Sequence, residues 1–546
     1  MSKLNRRRFL AGTGAAVATS GAVGALGATA ARAADPASLA EATTTVAPVP
    51  TVTPADARYP DMVSGANARL VGTPEAVKFP TTTQQVVEVV RQAVRDKKRV
   101  VVRSGGHCFE DLVFNKEAQV IIDLRQMTQL GYDDTRKAFY VDPGLQLLDV
   151  FGRLYNGWGV TIPAGGCYSV GVGGHFTSGG YGVLSRKHGL VSDHLYAAEI
   201  VTVNKYGEVR CVIATREPTD PNRDLLWAIA GGGGGNFGVI TRYWLRSRGA
   251  TGAPENLLPK PPARLYYYEV GWDWDKISEA GFKRLLREYG EWSKLHDDVG
   301  SPYLSMGHWV FLQHKSSGPI ILVGQLDADI PDSKKLLDDF IGLMSTALGT
   351  EPVFNNLKHL PYMKATSYGT TAGEPLTNPN MRTIHKSAMM KSGFPERQID
   401  VLYKQLTRPD YDNQYTYIVL HTAGAEINRM SPTETASSHR ESPFVIFYEC
   451  YWRNPEDDVK NMTWMKETYR DVYADTGGVP VPNDVTDGVY IGYPDRDLSD
   501  PNWNTSGVLW SELYYKGNYA RLQQVKARWD PTNFFRHRHS IELPKS

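Results

Sequence analysis

Between Pro163 and Leu190 the chain places nine glycines in the run PAGGCYSVGVGGHFTSGGYGVLSRKHGL. A run so rich in glycine reads first as a linker, but Val170, Val172, Phe176, Tyr181, Val183 and Leu184 interrupt it. Linkers do not carry that many apolar anchors. The segment therefore predicts a packed loop that lays a row of backbone N–H donors against a ligand such as a pyrophosphate. Its spacing is not that of a dinucleotide-binding helix start, and no G-x-x-x-x-G-K-[ST] occurs, which argues against a P-loop.

Three further motifs accompany it. Arg103–Cys108 (RSGGHC) follows the strand-like RVVVR, and its two glycines allow close backbone approach to a phosphate. Gly231–Thr241 (GGGGGNFGVIT) leads from a short helical stretch into a strand. The basic helical run from Asn518 ends at Asp530-Pro531 and continues as TNFFRHRHSI.

At 546 residues the chain is long enough for two domains. Sixty basic and 59 acidic side chains nearly cancel, against a nucleic-acid binder that works by counterion release. Arg6, Arg7, Phe9 and Leu10 form a twin-arginine pattern, a weakly apolar stretch follows, and Ala31-Arg32-Ala33 reads as a cleavage site. Residues 1–33 are thus expected to be an export signal for a protein that folds first, and residues 34–58, rich in Ala, Thr and Pro, a flexible leader. No later stretch is apolar enough to span a membrane. The four cysteines show no C-x-x-C spacing and no cluster with histidine of a metal-binding kind.

The periodicity predicts an α+β chain. Thr82 and Gln85 read as a capping box opening a helix with Val86, Val89, Val90, Ala93 and Val94 on one face. Strands are expected at 99–103, 120–124, 160–162 and 239–245, a helix at 145–155, and a hairpin across 197–213 around Tyr206-Gly207. A Gly/Ala/Pro/Asn-rich stretch at 249–262 marks a boundary. Beyond it, long strands (264–272, 308–313, 320–325, 415–421, 444–452) alternate with amphipathic helices (278–295, 333–348, 395–406, 456–473), predicting one large sheet backed by helices.

Together, RSGGH, PAGGC, GVGGHFTSGGYGxLSRKHGL, GGGGGNFGV and NYxRLxxVKxxxDPxNxF resemble, in order and spacing, the berberine bridge enzyme-like FAD-linked oxidases with a vanillyl-alcohol-oxidase (PCMH-type) flavin fold, and best the exported bacterial members. The resemblance implies a two-domain fold: an FAD domain over 60–250, a substrate domain over 251–489 built on a large antiparallel sheet, and a return to the FAD domain over 490–546. It implies bicovalent FAD, with the flavin 8α-methyl on a ring nitrogen of His107 and C6 on the sulfur of Cys167. Arg103, Ser104, Gly105, Gly106, Gly173, Gly174, His175, Gly179, Gly180, Gly238, Val239 and Asn533 are the implied cofactor contacts. Val170 stands where the family tunes oxygen access, and valine there goes with O2 as acceptor.

Hydride transfer to flavin needs a group to take the hydroxyl proton. The family's Y-x-N-[YF]-x-D-x-D-L motif stands here as Tyr490-Ile491-Gly492-Tyr493-Pro494-Asp495-Arg496-Asp497-Leu498, making Tyr490 the implied base. Its pKa would have to fall from about 10. Gly492 replaces the usual Asn and puts support of the base in question. Tyr415 and Tyr417 share one face of a predicted strand, and the resemblance implies that one of them is a second active-site tyrosine. Tyr181 and Tyr493 are expected to line the substrate pocket. The implied reaction is oxidation of a sugar hydroxyl to give H2O2, with the terminal deoxysugar of a glycosylated polyketide as one substrate. Free oligosaccharides oxidised to lactones are an alternative, and a flavin-carrying binding protein without turnover a third reading.

Overall fold

The strands assemble into three sheets in a computed structural model that describes residues 46–368 and 378–545. The export signal expected over 1–33 lies outside the described residues. The first sheet contains β1 (Thr51–Val52), β2 (Ala76–Lys78), β3 (Val100–Arg103) and β4 (Val120–Asp123), in the order β1-β2-β4-β3. β4 runs parallel to both neighbours, and β1 pairs antiparallel to β2. The leader expected over 34–58 therefore ends sooner: Thr51 and Val52 pair with Lys78 and Val77, and Val52 is buried. Two β-branched side chains beside a waiting strand edge outweigh the flanking prolines.

The second sheet, ordered β5-β6-β9-β7-β8, contains β5 (Leu130–Asp133), β6 (Ala138–Val141), β7 (Leu195–Val203), β8 (Val209–Thr215) and β9 (Val239–Leu245). β7 and β8 form the expected hairpin. Helix Thr83–Arg95 packs Val86, Val90 and Ala93 against Ile122, Val201 and Val239. Only half of the expected capping box forms. Thr82 Oγ1 accepts the Gln85 N–H, while Gln85 Oε1 accepts from the Thr81 N–H rather than closing on residue 82. Residues 160–162 form no strand, because the Thr161 N–H is taken by the Pro259 carbonyl instead of a ladder.

The third sheet is antiparallel throughout, ordered β13-β10-β12-β11-β15-β16-β14. Its strands are β10 (Arg264–Trp272), β11 (Gly307–Gln313), β12 (Ile320–Asp327), β13 (Phe354–Pro361), β14 (Arg382–Met390), β15 (Thr416–Thr422) and β16 (Phe444–Trp452). Alternation gives it two unlike faces. Val310, Leu312, Ile418, Leu420, Ile446 and Tyr448 are fully buried in the main core, which also takes in the amphipathic helices Glu279–Leu295, Ser333–Leu348, Glu396–Thr407 and Asp458–Val472. Trp309, Phe311, Val419, His421, Phe447, Glu449 and Tyr451 point the other way, into a cleft. The described residues from Ala47 onward form one compact unit.

Candidate active site

Two glycine loops cross beneath that cleft. A Cβ on Gly171 would lie 2.2 Å from the Gly105 nitrogen, and one on Gly105 would lie 2.4 Å from the Gly171 nitrogen. Only hydrogen fits at either position. Ser104 pins the crossing: its hydroxyl donates to the Pro143 carbonyl (2.6 Å) and accepts the Gly173 N–H (3.2 Å). The crossing brings His107 and Cys167 together. Ser169 Oγ sits 2.9 Å from His107 Nε2 and 3.9 Å from Cys167 Sγ. Burial, reinforced by the Arg103 charge, holds the His107 pKa down at about 4, so the imidazole is neutral and nucleophilic at pH 7.

The cleft has a volume of about 380 Å³ and is lined from the first loop by Ser104, Gly105, Gly106, His107 and Cys108, and from the long glycine run by Cys167, Val170, Gly173, Gly174 and His175. His175 braces the second loop, its Nε2 accepting the Gly165 N–H at 3.1 Å. At the far end, Gly233, Gly234, Gly235 and Asn236 face the cleft beside Phe535, Arg536 and His537. Buried Lys526 locks this end by donating to the carbonyls of Asn236 (2.6 Å) and Phe535 (2.6 Å) and to Asp530 (2.7 Å). The basic C-terminal helix is thus the clasp of the glycine loop. Gly238 also lines the cleft, and a Cβ there would strike the Val201 carbonyl at 2.3 Å.

Aromatic hydroxyls crowd the sheet end. Tyr181 donates to Tyr493 at 2.9 Å, and its ring meets Tyr490 edge-on at 5.2 Å. Tyr493 stacks on Phe447 at 4.0 Å. The Tyr490 hydroxyl accepts the Gly180 N–H at 3.1 Å. Burial pushes the Tyr490 pKa above the usual tyrosine range, and the Gly180 N–H opposes the shift. Gly492 has its own reason: a Cβ there would lie 2.3 Å from the Tyr490 ring, so the ring itself occupies the place of the usual Asn side chain. Asp495 and Asp497 of the same motif are spent on structure, both accepting from buried Lys386.

Several implied contacts sit elsewhere. Arg103 turns away from the cleft to Phe114 and Asp123. Val239 is buried in β9 opposite Val201. Gly179 and Gly180 do not line the cleft; they hold positive φ, and Gly180 acts through its bond to Tyr490. Asn533 is a left-handed residue (φ 51°) that closes the turn from Asp530, its N–H donating to the Asp530 carbonyl at 3.0 Å. Tyr415 lies beside Arg453, its hydroxyl 3.2 Å from Nη2. Tyr417 shares the cleft-facing side of β15 with Val419 but stands outside the lining, against Phe311 and opposite Glu449. None of the four cysteines forms a disulfide, and burial pushes Cys108 up to about 12.

The sequence reading missed Ser169, Trp309, and above all Glu449 with Tyr451. Tyr451 donates to Glu449 Oε2 at 3.0 Å, and burial pushes the Glu449 pKa up to about 7. A signal was present, because Glu449 is the one charge in the apolar strand FVIFYECYW.

Known proteins match this arrangement. The FAD binding domain family matches residues 74–211, and the "berberine and berberine like" family matches residues 489–542. Aclacinomycin-N/aclacinomycin-A oxidase of Streptomyces galilaeus is 44% identical, with 90% of this chain and 89% of the relative covered. Hexose oxidase of Chondrus crispus is 30% identical over 89% of this chain and 93% of the relative. Among solved structures, aclacinomycin oxidoreductase superposes with a TM-score of 0.87 at 43% identity, covering 91% of this chain and 100% of that one. The glycopeptide hexose oxidase DBV29, complexed with teicoplanin, gives 0.86 at 43% identity, covering 91% and 99%. The cleft fits FAD: glycine backbone lines its length, and a Cβ on Gly174 would meet no protein atom within 4 Å. The chain belongs to the berberine bridge enzyme-like family of FAD-linked oxidoreductases, with the α+β, PCMH-type FAD fold of that family.

Proposed function

We propose that the protein is an exported oxidase that carries FAD on two covalent bonds, through a ring nitrogen of His107 and the sulfur of Cys167, and oxidises a sugar hydroxyl of a glycosylated compound with O2 as acceptor. The observation that carries the reading is the convergence of His107 and Cys167 on Ser169, below a cleft roofed by aromatic side chains and phenols. FAD supplies the hydride acceptor. The protein's residues hold it and the substrate. The neutral His107 imidazole is suited to bond formation. Backbone N–H groups of the glycine loops suit a pyrophosphate, and Arg536 adds positive charge at that end.

Two attachments fix the ring without enclosing it, which leaves the cleft free for a bulky substrate. Trp309, Phe311 and Phe447 form an apolar wall that suits an aromatic aglycone. The names of the aclacinomycin and glycopeptide hexose oxidases support a glycosylated antibiotic over a plain sugar. Tyr490, its oxygen held by the Gly180 N–H, is the base that takes the proton of the substrate hydroxyl. The Arg6-Arg7-x-Phe9-Leu10 pattern supports export of the folded, loaded protein.

The test is direct. Mature protein should stay yellow after acid precipitation, with an intact mass one FAD heavier. It should release peroxide with glycosylated aromatic compounds faster than with free hexoses or oligosaccharides. Colourless precipitate, or equal rates on plain sugars, would overturn the cofactor or the substrate part respectively.

A further inference from the structure

Ser169 stands between the two side chains proposed to bind the flavin, yet it does not line the cleft itself. Its hydroxyl is 2.9 Å from His107 Nε2, while Cys167 Sγ lies farther off at 3.9 Å. The turn around it is held on both sides. The Val170 N–H donates to the Cys167 carbonyl at 3.3 Å, and a Cβ on Gly105 would lie 3.0 Å from the Ser169 carbonyl oxygen. The first glycine loop therefore braces the backbone that presents this hydroxyl to the imidazole.

A neutral imidazole carries one N–H, and only its other nitrogen has a lone pair with which to form a bond. We infer that Ser169 is the positioning residue for the histidine attachment: by accepting the Nε2–H of His107, it fixes the tautomer in which Nδ1 is the nucleophile. The inference rests on the covalent-flavin reading above. The 2.9 Å contact is an ordinary hydrogen bond and the 3.9 Å contact to sulfur a weak one, so the effect falls on the histidine bond.

In the step, His107 Nδ1 bonds to the 8α carbon. One methyl C–H bond breaks, its proton leaves, and its electron pair stays on the ring system. The Nε2 proton leaves as well, because the Arg103 charge disfavours a cation at this imidazole. O2, the acceptor of the proposed oxidation, takes the electron pair and the two protons as H2O2. One hydroxyl serves both ends of this change. It accepts from Nε2–H before the bond forms and donates to bare Nε2 afterwards.

The experiment compares wild type with Ser169→Thr and Ser169→Val, two side chains of similar shape that differ in the hydroxyl. Each protein is denatured and digested, and the flavin is located by mass on the His107 and Cys167 peptides. Wild type and S169T should carry it on both. S169V should carry it on the Cys167 peptide as wild type does, and on the His107 peptide in about tenfold fewer molecules at the same time after induction. Ser169→Ala, which removes the hydroxyl without adding volume, gives the same reading should valine lower the thermal midpoint. In a second comparison, C167A/S169V should release most of its flavin on denaturation, while H107A/S169V should keep it as H107A does. The proposal is overturned if S169V and S169A link both peptides as S169T does, or if they lose both bonds together. A wild type with flavin on neither peptide would sink the covalent reading itself. A doubly linked wild type whose valine and threonine variants are indistinguishable sinks this inference alone.

Discussion

Replacing Gly171 by alanine tests whether the crossing of the two glycine loops creates the proposed double attachment. The new methyl would sit 2.2 Å from both the Gly105 nitrogen and Ser104 Oγ, and 2.8 Å from the Gly105 Cα. Non-bonded heavy atoms rest at about 3.5 Å, so the loops must part by roughly 1 Å. Overpacking of this kind costs about 1–3 kcal/mol. Ser104 Oγ can rotate away, but the strain still falls on backbone, because the other two obstructing atoms are the Gly105 nitrogen and Cα. Parting the loops separates His107 from Cys167, and one bond should form while the other fails. The assay is the number of reactive thiols after unfolding, read by mass after alkylation. Wild type should expose Cys108, Cys211 and Cys450 only, while G171A should expose Cys167 as well in a substantial fraction and melt several degrees lower. Gly152→Ala is the control. Gly152 lies in helix Leu147–Trp158, and the added methyl would meet no atom within 4 Å, so this change should raise stability by about 0.5–1 kcal/mol and leave the thiol count alone. A G171A protein with three thiols and an unchanged midpoint would refute the reasoning.

Other outcomes follow from the same contacts. His107→Ala and Cys167→Ala should each keep colour after denaturation through the remaining bond, and the double variant should release its flavin; intact mass decides. Tyr490→Phe should keep covalent flavin and lose at least tenfold in turnover, because the base is gone; unchanged turnover would remove Tyr490 from the site. Lys386→Met strands Asp495 in the interior, leaves Asp497 with Lys466 as its remaining cation, and should cost about 3–5 kcal/mol in urea unfolding. Burial lowers His175, His421, His439 and His537 to about 4, from 6.5 in the unfolded chain. The unfolded chain therefore binds more protons between these values, and stability should fall as pH drops from 6.5 towards 4. Glu449 and Glu110, raised to about 7, act in the opposite direction over the same window but are fewer. A thermal midpoint that is flat across this window would contradict the buried neutral state of the four histidines.

Glycine was legible in the sequence because its constraint is local: RSGGH and PAGGC announce backbone approach whatever surrounds them. Long amphipathic elements were legible for the same reason. β10, β16, β9 and the helix at 333–348 appear at their expected bounds, since period 2 and period 3.6 need no tertiary information. The short parallel strand β2 and the edge strand β13 were not foreseen. β13 (FNNLKHLP) is mostly exposed and carries little apolar signal; its identity comes from pairing with β10. In the site, Glu449 escaped notice because its meaning depends on Tyr451 donating to it and on Tyr417 and His385 arriving from neighbouring strands. The sequence shows a charge in a strand, and only the register shows what that charge faces. Arg103 fails in the reverse sense: it belongs to a phosphate-like motif, yet Asp123, one strand away, draws its guanidinium out of the cleft.

The grip of Lys526 on Asn236 and Phe535 has a consequence for biosynthesis. A ribosome that has made the first half of this polypeptide has delivered His107, Cys167 and the glycine loops, but nothing to close their outer end. A closed outer end therefore requires that Lys526 and Phe535 have also emerged, which sets the completed cofactor cleft late in synthesis. A fusion partner or truncation at the carboxyl terminus would therefore interfere with flavin incorporation long before it disturbed the distant sheet.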